Sequence, residues 1–165
     1  MNRIKLGPLA KLSSPPPSSS QLNTETHVAH HSASEFEYSI FIPMHYERNY
    51  AYPLIVWLHS NTDDERQILQ VMPQISTRNY AAICMRAPDR DPVQGYRWLQ
   101  SLDSIDAAQN RIERAIDCAR CRLNVDHAAI FIGGLGSGGT MAFRIAFRQP
   151  HWFAGVFSVN GRVPC

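Results

Sequence analysis

A glycine-rich turn in the last third of the chain has the clearest capacity for chemistry. Ala128 to Ile132 has the pattern of a short apolar strand, and five glycines then follow around Leu135 and Ser137. A helical pattern begins after the glycines, and Pro150 ends it. A sharp strand–turn–helix with glycines where side chains would collide is typical of α/β enzymes that present either a nucleophile or a phosphate cradle. The turn therefore predicts one of two chemistries.

The first chemistry is dinucleotide binding. Gly134, Gly136 and Gly139 satisfy the spacing G-x-G-x-x-G after a strand and at the start of a helix. That fingerprint expects an acidic residue about twenty positions further on, which holds the ribose. Asn160 stands at that position with Arg162 beside it, and this pair suits only a 2′-phosphate. In addition, the turn belongs to the third βα unit of the chain, whereas the fingerprint is found in the first. An NADP-binding domain is therefore kept as the alternative.

Three earlier stretches accompany the turn, and the four together carry a family resemblance. They are P-L-I-V-W-L-H-S-N at Pro53 to Asn61, M-P-Q-I at Met72 to Ile75, G-Y-R-W-L-Q at Gly95 to Gln100, and I-F-I-G-G-L-G-S-G-G-T-M-A at Ile130 to Ala142. With them the chain, from about Phe36 to Pro164, resembles the carboxylesterase/phospholipase branch of the α/β-hydrolases. The resemblance implies hydrolysis of a carboxylic ester or thioester through a serine acyl-enzyme, with a small ester or acyl ligand and without cofactor or metal.

The nucleophile elbow of this superfamily has the form G-x-S-x-G. Without gaps, Gly134 is its first glycine and Gly138 its last, so that Gly136 stands at the nucleophile position and the serine is lost. An elbow nucleophile is strained by about 1–3 kcal/mol, and glycine adopts that conformation without penalty. A shift by one residue makes Ser137 the nucleophile but puts the bulky Leu135 where the motif requires glycine.

The resemblance also assigns roles to residues around the elbow. In the family, the backbone N–H after the nucleophile is one half of the oxyanion hole, which here is that of Ser137. Asn61, just after a strand, supplies the other half. The residues expected to line the substrate pocket are His59, Ser60, Trp98 and Gln100.

The acid and base of a catalytic triad follow the nucleophile in this superfamily. Few residues follow the predicted strand Phe153 to Val159, and none of them is Asp, Glu or His. His59 is interpreted as a residue that shapes the oxyanion loop rather than as a catalytic base. We therefore expect a truncated, catalytically impaired hydrolase, or a non-catalytic ligand-binding remnant of that fold, with an exposed sheet edge that favours self-association.

Composition and charge are those of a globular protein with one domain. The 165 residues are 44% hydrophobic, the net charge is +2 and the arginines form no basic run, so a nucleic-acid partner is not expected. No apolar stretch approaches the roughly 20 residues needed to span a bilayer, and no apolar core follows Arg3 and Lys5 as in a signal peptide. These observations favour a cytoplasmic protein.

Residues 1–34 form a Ser/Pro-rich segment that includes the run S-S-P-P-P-S-S-S at Ser13 to Ser20. Such a segment cannot bury enough apolar surface to offset its ordering entropy, so we expect a disordered leader before a hydrolase domain over residues 35–165. His27, His30 and His31 are interpreted as part of this tail rather than as a metal site.

The pair Cys118 and Cys121 forms a C-x-x-C motif, which in other settings binds zinc or exchanges disulfides. It lies near the end of a long helical pattern, and no second ligand pair stands at a matching spacing. The two residues are therefore interpreted as ordinary helix cysteines.

The remaining patterns alternate between strands and helices. Strands are predicted at Phe36 to Ile42, Leu54 to Leu58, Ala81 to Met85 and Phe153 to Val159, and helices from about Asp64 and along the apolar stripe from Ile105 to Leu123. A long loop is predicted over Arg86 to Gln100. This rhythm predicts an α/β fold, namely a partial α/β-hydrolase fold with a mostly parallel sheet and helices on both faces.

Overall fold

The computed structural model describes residues 28–33 and 36–164. The predicted leader over residues 1–34 lies mostly outside them, as does His27. Its last described part, Val28–Ala33, is a strand (β1) that pairs antiparallel with Phe36–Phe41 (β2). Strands such as β1 are held by backbone hydrogen bonds, and polar residues can form these bonds as well as apolar ones. His30 and His31 therefore lie in a strand rather than in a disordered tail.

The later elements follow the predicted rhythm closely. The further strands are β3 (Tyr52–Leu58), β4 (Ala81–Met85), β5 (Asp89–Arg90), β6 (Tyr96–Arg97), β7 (Val125–Leu135) and β8 (Gly155–Val159). The helices are a 3₁₀ turn (Glu65–Gln67) that leads directly into α1 (Ile68–Ile75), then α2 (Leu102–Arg122) and α3 (Ser137–Arg148).

The main sheet has six strands in the order β1-β2-β4-β3-β7-β8. The pairs β1–β2 and β2–β4 are antiparallel, whereas β4, β3, β7 and β8 are parallel to one another. β5 and β6 form a separate two-stranded hairpin inside the loop predicted over Arg86 to Gln100. The parallel strands bring their carboxyl ends to one edge of the sheet.

Side chains of the central strand β3 face opposite layers in alternation, as its continuous apolar run predicts. Leu54, Val56 and Leu58 pack in a core with buried residues of α2 and α3. Ile55 and Trp57 pack in a second core with buried residues of α1. The predicted fold class, a mostly parallel sheet with helices on both faces, is therefore confirmed.

A capping side chain starts α2, and a proline follows the end of α3. The Ser101 side chain caps α2 by accepting from the Ser104 N–H at 3.3 Å, and the apolar stripe of α2 is buried against the sheet. α3 ends at Arg148, before Pro150. None of the helices in the described part of the chain combines the length and apolar character that crossing a membrane requires.

The last strand differs most from its prediction. β8 begins at Gly155 rather than Phe153 and is only partly buried, because among the described strands it pairs with β7 alone. Its last residue, Val159, is 52% exposed. In the described part of the chain, β8 is thus an edge strand with apolar side chains partly open to solvent.

Candidate functional site

The turn after β7 lies beside the loop after β3, because β3 and β7 are neighbouring parallel strands. Leu58, the last residue of β3, pairs with Gly134 in β7. The carboxyl ends of parallel strands are where α/β proteins place binding and catalytic groups. Asn61 in one loop and Ser137 in the other are therefore brought together.

Gly136 joins β7 to α3 with φ 58° and ψ −118°. Its N–H donates to the Val159 carbonyl oxygen at 2.9 Å, and its own carbonyl oxygen accepts from the Thr140 N–H at 3.1 Å. A residue other than glycine adopts such a positive φ only with strain. A Cβ built on Gly136 meets no other described atom within 4 Å, so a side chain there would occupy open space.

Gly134 and Gly138, on either side of Gly136, are required by close approach to β3. A Cβ on Gly138 would collide with the carbonyl oxygens of Leu58 and His59, and one on Gly134 would lie 2.6 Å from the Leu58 oxygen. α3 therefore starts in contact with the backbone of β3, and only glycine fits at the two contacts. Gly136, with its positive φ, stands midway between these two glycines.

Ser137 is the first residue of α3, and its hydroxyl donates to Oδ1 of Asn61. The backbone ladder of α3 begins when the Thr140 N–H donates to the Gly136 carbonyl oxygen, so the Ser137 amide precedes that ladder. The positive φ belongs to Gly136 and not to Ser137. The sharp turn between β7 and α3 is therefore centred on the glycine.

His59 is fully buried, and both of its ring nitrogens have partners. Its Nδ1–H donates to the Ser60 carbonyl oxygen at 2.7 Å, and its Nε2 accepts from the Ala87 N–H at 3.0 Å. Because the Ala87 amide can only donate, Nε2 is the unprotonated nitrogen. Burial lowers the pKa of His59 and favours this neutral form.

Trp98 and Gln100 lie at the end of the loop predicted over Arg86 to Gln100. They connect this loop to the one after β3. Trp98 is 2% exposed, and its Nε1–H donates to the His59 carbonyl oxygen at 3.0 Å. Gln100 is exposed, donates to the Trp98 carbonyl oxygen at 3.0 Å and accepts from Nε of Arg144 at 2.7 Å. Trp98 thus anchors its loop against the loop after β3.

The four residues expected to line a pocket therefore fall into two groups. Ser60 is partly exposed and Gln100 is exposed, so both are accessible to a ligand. His59 and Trp98 are buried beneath the surface and bonded to each other's loops, and for these two the lining of a pocket stays a prediction. Their hydrogen bonds hold the loop after β3 against residues 86–100.

Sequence reasoning missed the buried polar residues next to these loops. Glu65 is 3% exposed and accepts from Nε and Nη2 of Arg86 at 2.7 and 2.8 Å. The Arg86 guanidinium also pairs with Glu37 and lies 4.6 Å from the ring centroid of Tyr96. Gln67 is 5% exposed. No pattern in the sequence distinguishes Glu65 and Gln67 from the solvated polar residues usual at a helix start.

The residues considered for metal or nucleotide binding have ordinary surroundings. Within the described side chains, no group of three or more His, Cys, Asp or Glu is arranged to hold a metal ion. Cys118 and Cys121 are free thiols on the last turns of α2. Asn160, where the dinucleotide fingerprint expects an acid, follows β8 with φ 58°. Nothing in this geometry favours the dinucleotide alternative.

Several solved structures with a similar fold are esterases. A carboxylesterase from Mesorhizobium loti matches with a TM-score of 0.66 and 14% identity, over 83% of this chain and 66% of that chain. A ferulic acid esterase from the anaerobic fungus Anaeromyces mucronatus matches with a TM-score of 0.59 and 10% identity, over 82% of this chain and 58% of that chain. The chain therefore shares the α/β fold of these proteins.

A sequence relative is similar over a shorter stretch. The protein named "Putative esterase NocK", from Nocardia uniformis subsp. tsuyamanensis, is 38% identical over 60 residues, which are 36% of this chain and 16% of that protein. No protein-family model matches the chain. The predicted relationship to esterase-type α/β-hydrolases is thus confirmed at the level of fold, and the chain spans less than two thirds of each of these relatives.

We expect Gly138→Ala to lower the free energy of unfolding by at least about 1–3 kcal/mol, because its Cβ would force α3 away from the backbone of β3. The matched control is Gly155→Ala, whose Cβ would lie 3.3 Å from the Phe131 ring and needs only a small side-chain movement. Urea denaturation compares the two variants. Equal losses of stability would contradict the tight contact between α3 and β3.

We expect stability to fall as the pH is lowered from about 6.5, because the unfolded chain then protonates His59. The folded chain binds that proton only at lower pH, since burial lowers the pKa of His59. Stability from this group is therefore present above pH 6.5 and is lost as the pH falls towards the folded pKa. In denaturant titrations at several pH values, His59→Gln should flatten the decline, and an equally steep decline in that variant would contradict the prediction.

Proposed function

We propose that this chain is an esterase-type hydrolase domain that binds an ester or its acyl product but does not turn over. The observation that carries the proposal is Gly136, which has a positive φ, lies midway between two tightly packed glycines and has open space where a side chain would project. These are the features of a nucleophile position from which the serine hydroxyl has been deleted. The fold favours a member of the carboxylesterase/phospholipase branch, as the resemblance implied.

The anion-stabilising part of such a site is retained. The Ser137 amide precedes the helix ladder of α3 and serves as one oxyanion donor. Asn61 lies opposite, joined to the Ser137 hydroxyl through its side-chain oxygen, and its loop supplies the second donor. Because no nucleophile oxygen occupies the space at Gly136, a carbonyl or carboxylate group of a ligand has room there.

The described residues offer no base for a serine mechanism at this site. His59 is neutral, buried and bonded through both ring nitrogens. His127 and His151 line a different cavity, which also includes Glu113 and Asp117 of α2. Loss of turnover therefore has two causes in this proposal: the glycine at the elbow and the lack of a general base next to it.

The test measures ester turnover, covalent labelling and ligand binding on one preparation of the full chain. With p-nitrophenyl butyrate we expect only the background rate of hydrolysis, and with a fluorophosphonate no adduct at Ser137. Butyrate, the acyl product, should raise the melting temperature in a concentration-dependent way. Asn61→Ala is expected to reduce that shift, and Arg78→Ala, at an exposed position, is the control.

Two outcomes would contradict the proposal. Labelling that peptide mapping places on Ser137, and that Ser137→Ala abolishes, would move the nucleophile by one residue and make the chain an enzyme. Stabilisation by NADP but not by butyrate would favour the dinucleotide alternative. The variant Gly136→Ser adds a further comparison: labelling there and not in the parent chain would assign the loss of reactivity to the missing hydroxyl.

We also propose that the chain associates with itself through β8. The strand is short and uncharged, and its outer backbone groups have no partner strand within the described residues. Val159→Lys would place a charge on this edge, and we expect it to convert a concentration-dependent oligomer into a monomer in light scattering. Val93→Lys, in a loop and 89% exposed, is the matched control. A parent chain that is monomeric at every concentration would contradict this.

A cytosolic location is proposed on the chemistry of the cysteines. The three described ones, Cys84, Cys118 and Cys121, are all free thiols. Free thiols persist in the reducing cytosol, whereas secreted proteins usually pair them. Fractionation of cells that produce the chain, with thiol alkylation before lysis, tests this proposal; recovery in an extracellular fraction would contradict it.

A further inference from the structure

Gln67 lies under the loop that carries Asn61, and its side-chain amide is fully used within the chain. Its Oε1 accepts from Nε1 of Trp57 at 2.8 Å and from the Ser60 N–H at 3.3 Å. Its Nε2 donates to Oγ of Ser60 at 2.9 Å and to Oδ2 of Asp63 at 2.7 Å. The orientation of the amide is fixed, because an indole N–H can only donate and a carboxylate can only accept.

These four bonds connect the loop to the sheet. Trp57 is a buried residue of β3, whereas Ser60 and Asp63 belong to the loop and stand on either side of Asn61. Gln67 is 5% exposed, so water competes little for its partners and each lost partner would leave a buried polar group unsatisfied. A single buried side chain therefore sets the spacing between the two ends of the loop tip.

A second segment holds the same loop from the other side. The Thr62 N–H donates to the Tyr96 carbonyl oxygen at 3.1 Å, and the Tyr96 N–H donates to the Asp63 carbonyl oxygen at 2.9 Å. Gly95 packs so closely that a Cβ there would collide with the Thr62 carbonyl oxygen. Asn61 and Thr62 are the exposed residues of this tip, and the Asn61 side chain is bonded to Ser137.

We propose that Gln67 is a positioning residue that holds Asn61 opposite the turn at Gly136 and Ser137. The link to ligand binding rests on the proposed function, because only there does Asn61 act as an oxyanion group. The placement of the loop itself is a property of the ligand-free chain. It can therefore be tested even if no ester or acyl compound binds.

A change of charge at position 67 tests the proposal with little change in the shape of the side chain. Gln67→Glu replaces the donating Nε2 by a second carboxylate oxygen next to Asp63, so that an attraction becomes a repulsion. Adding Asp63→Asn reverses the roles, since an amide at 63 can donate to a carboxylate at 67. Gln70→Glu is the matched control, because Gln70 belongs to the next turn of the same helical segment and is exposed.

The measurement is the side-chain amide resonance of Asn61 by NMR, assigned by its loss in Asn61→Asp, together with hydrogen exchange of the amides of residues 60–63. We expect Gln67→Glu to shift that resonance and to speed exchange about tenfold or more, for a loss of one or two buried hydrogen bonds. The double variant should restore both readings, and Gln70→Glu should change neither. A residue needed only for packing would not be rescued by a change of charge at Asp63.

Unchanged readings in Gln67→Glu, or failure of Asp63→Asn to restore them, would overturn the proposal. If Gln67→Glu does not fold, Asp63→Ala is used instead, because it removes one of the four bonds from the loop side and leaves the core intact. This variant should shift the Asn61 resonance. An unchanged resonance would overturn the proposal. In a parallel titration with butyrate, Gln67→Glu should weaken binding about tenfold relative to Gln70→Glu. Absence of binding in the parent chain would count against the proposed function and not against the role of Gln67.

Discussion

The contact between α3 and the backbone of β3 is the constraint on which the site depends. Gly134 and Gly138 let the start of α3 lie against the carbonyl groups of Leu58 and His59, where no side chain fits. This contact sets where β7 must turn, and so imposes the positive φ on Gly136. It also places Ser137 against the loop after β3. The two halves of the site are thus positioned by glycines rather than by polar residues.

Most of the fold was predictable from the sequence because its signals are local. The run from Leu54 to Leu58 indicated a strand buried on both faces, and the stripe of α2 indicated an amphipathic helix. β1 was missed because its polar sequence resembles the preceding segment and its pairing uses only backbone groups. The hairpin of β5 and β6 was missed because two-residue strands carry no periodicity.

The site was only partly predictable, because burial of polar residues depends on contacts between distant parts of the chain. The positions of Gly136, Ser137 and Asn61 followed from motif spacing and adjacent parallel strands. By contrast, the roles of His59 and Trp98 depend on bonds across 28 and 39 residues, to Ala87 and to His59 respectively. These bonds hold the loop after β3 against residues 86–100 from below the surface.

The positive φ at Gly136 has a consequence for the lifetime of the chain in a cell. A serine at Gly136 would add about 1–3 kcal/mol of strain, offset by about 0.5–1 kcal/mol because glycine has more freedom when unfolded. The remaining difference of up to about 2.5 kcal/mol corresponds to an up to roughly sixtyfold smaller unfolded population for the glycine form. Proteases and chaperones act on that population. A chain with glycine at this turn is therefore expected to be more abundant than its Gly136→Ser variant at the same rate of synthesis.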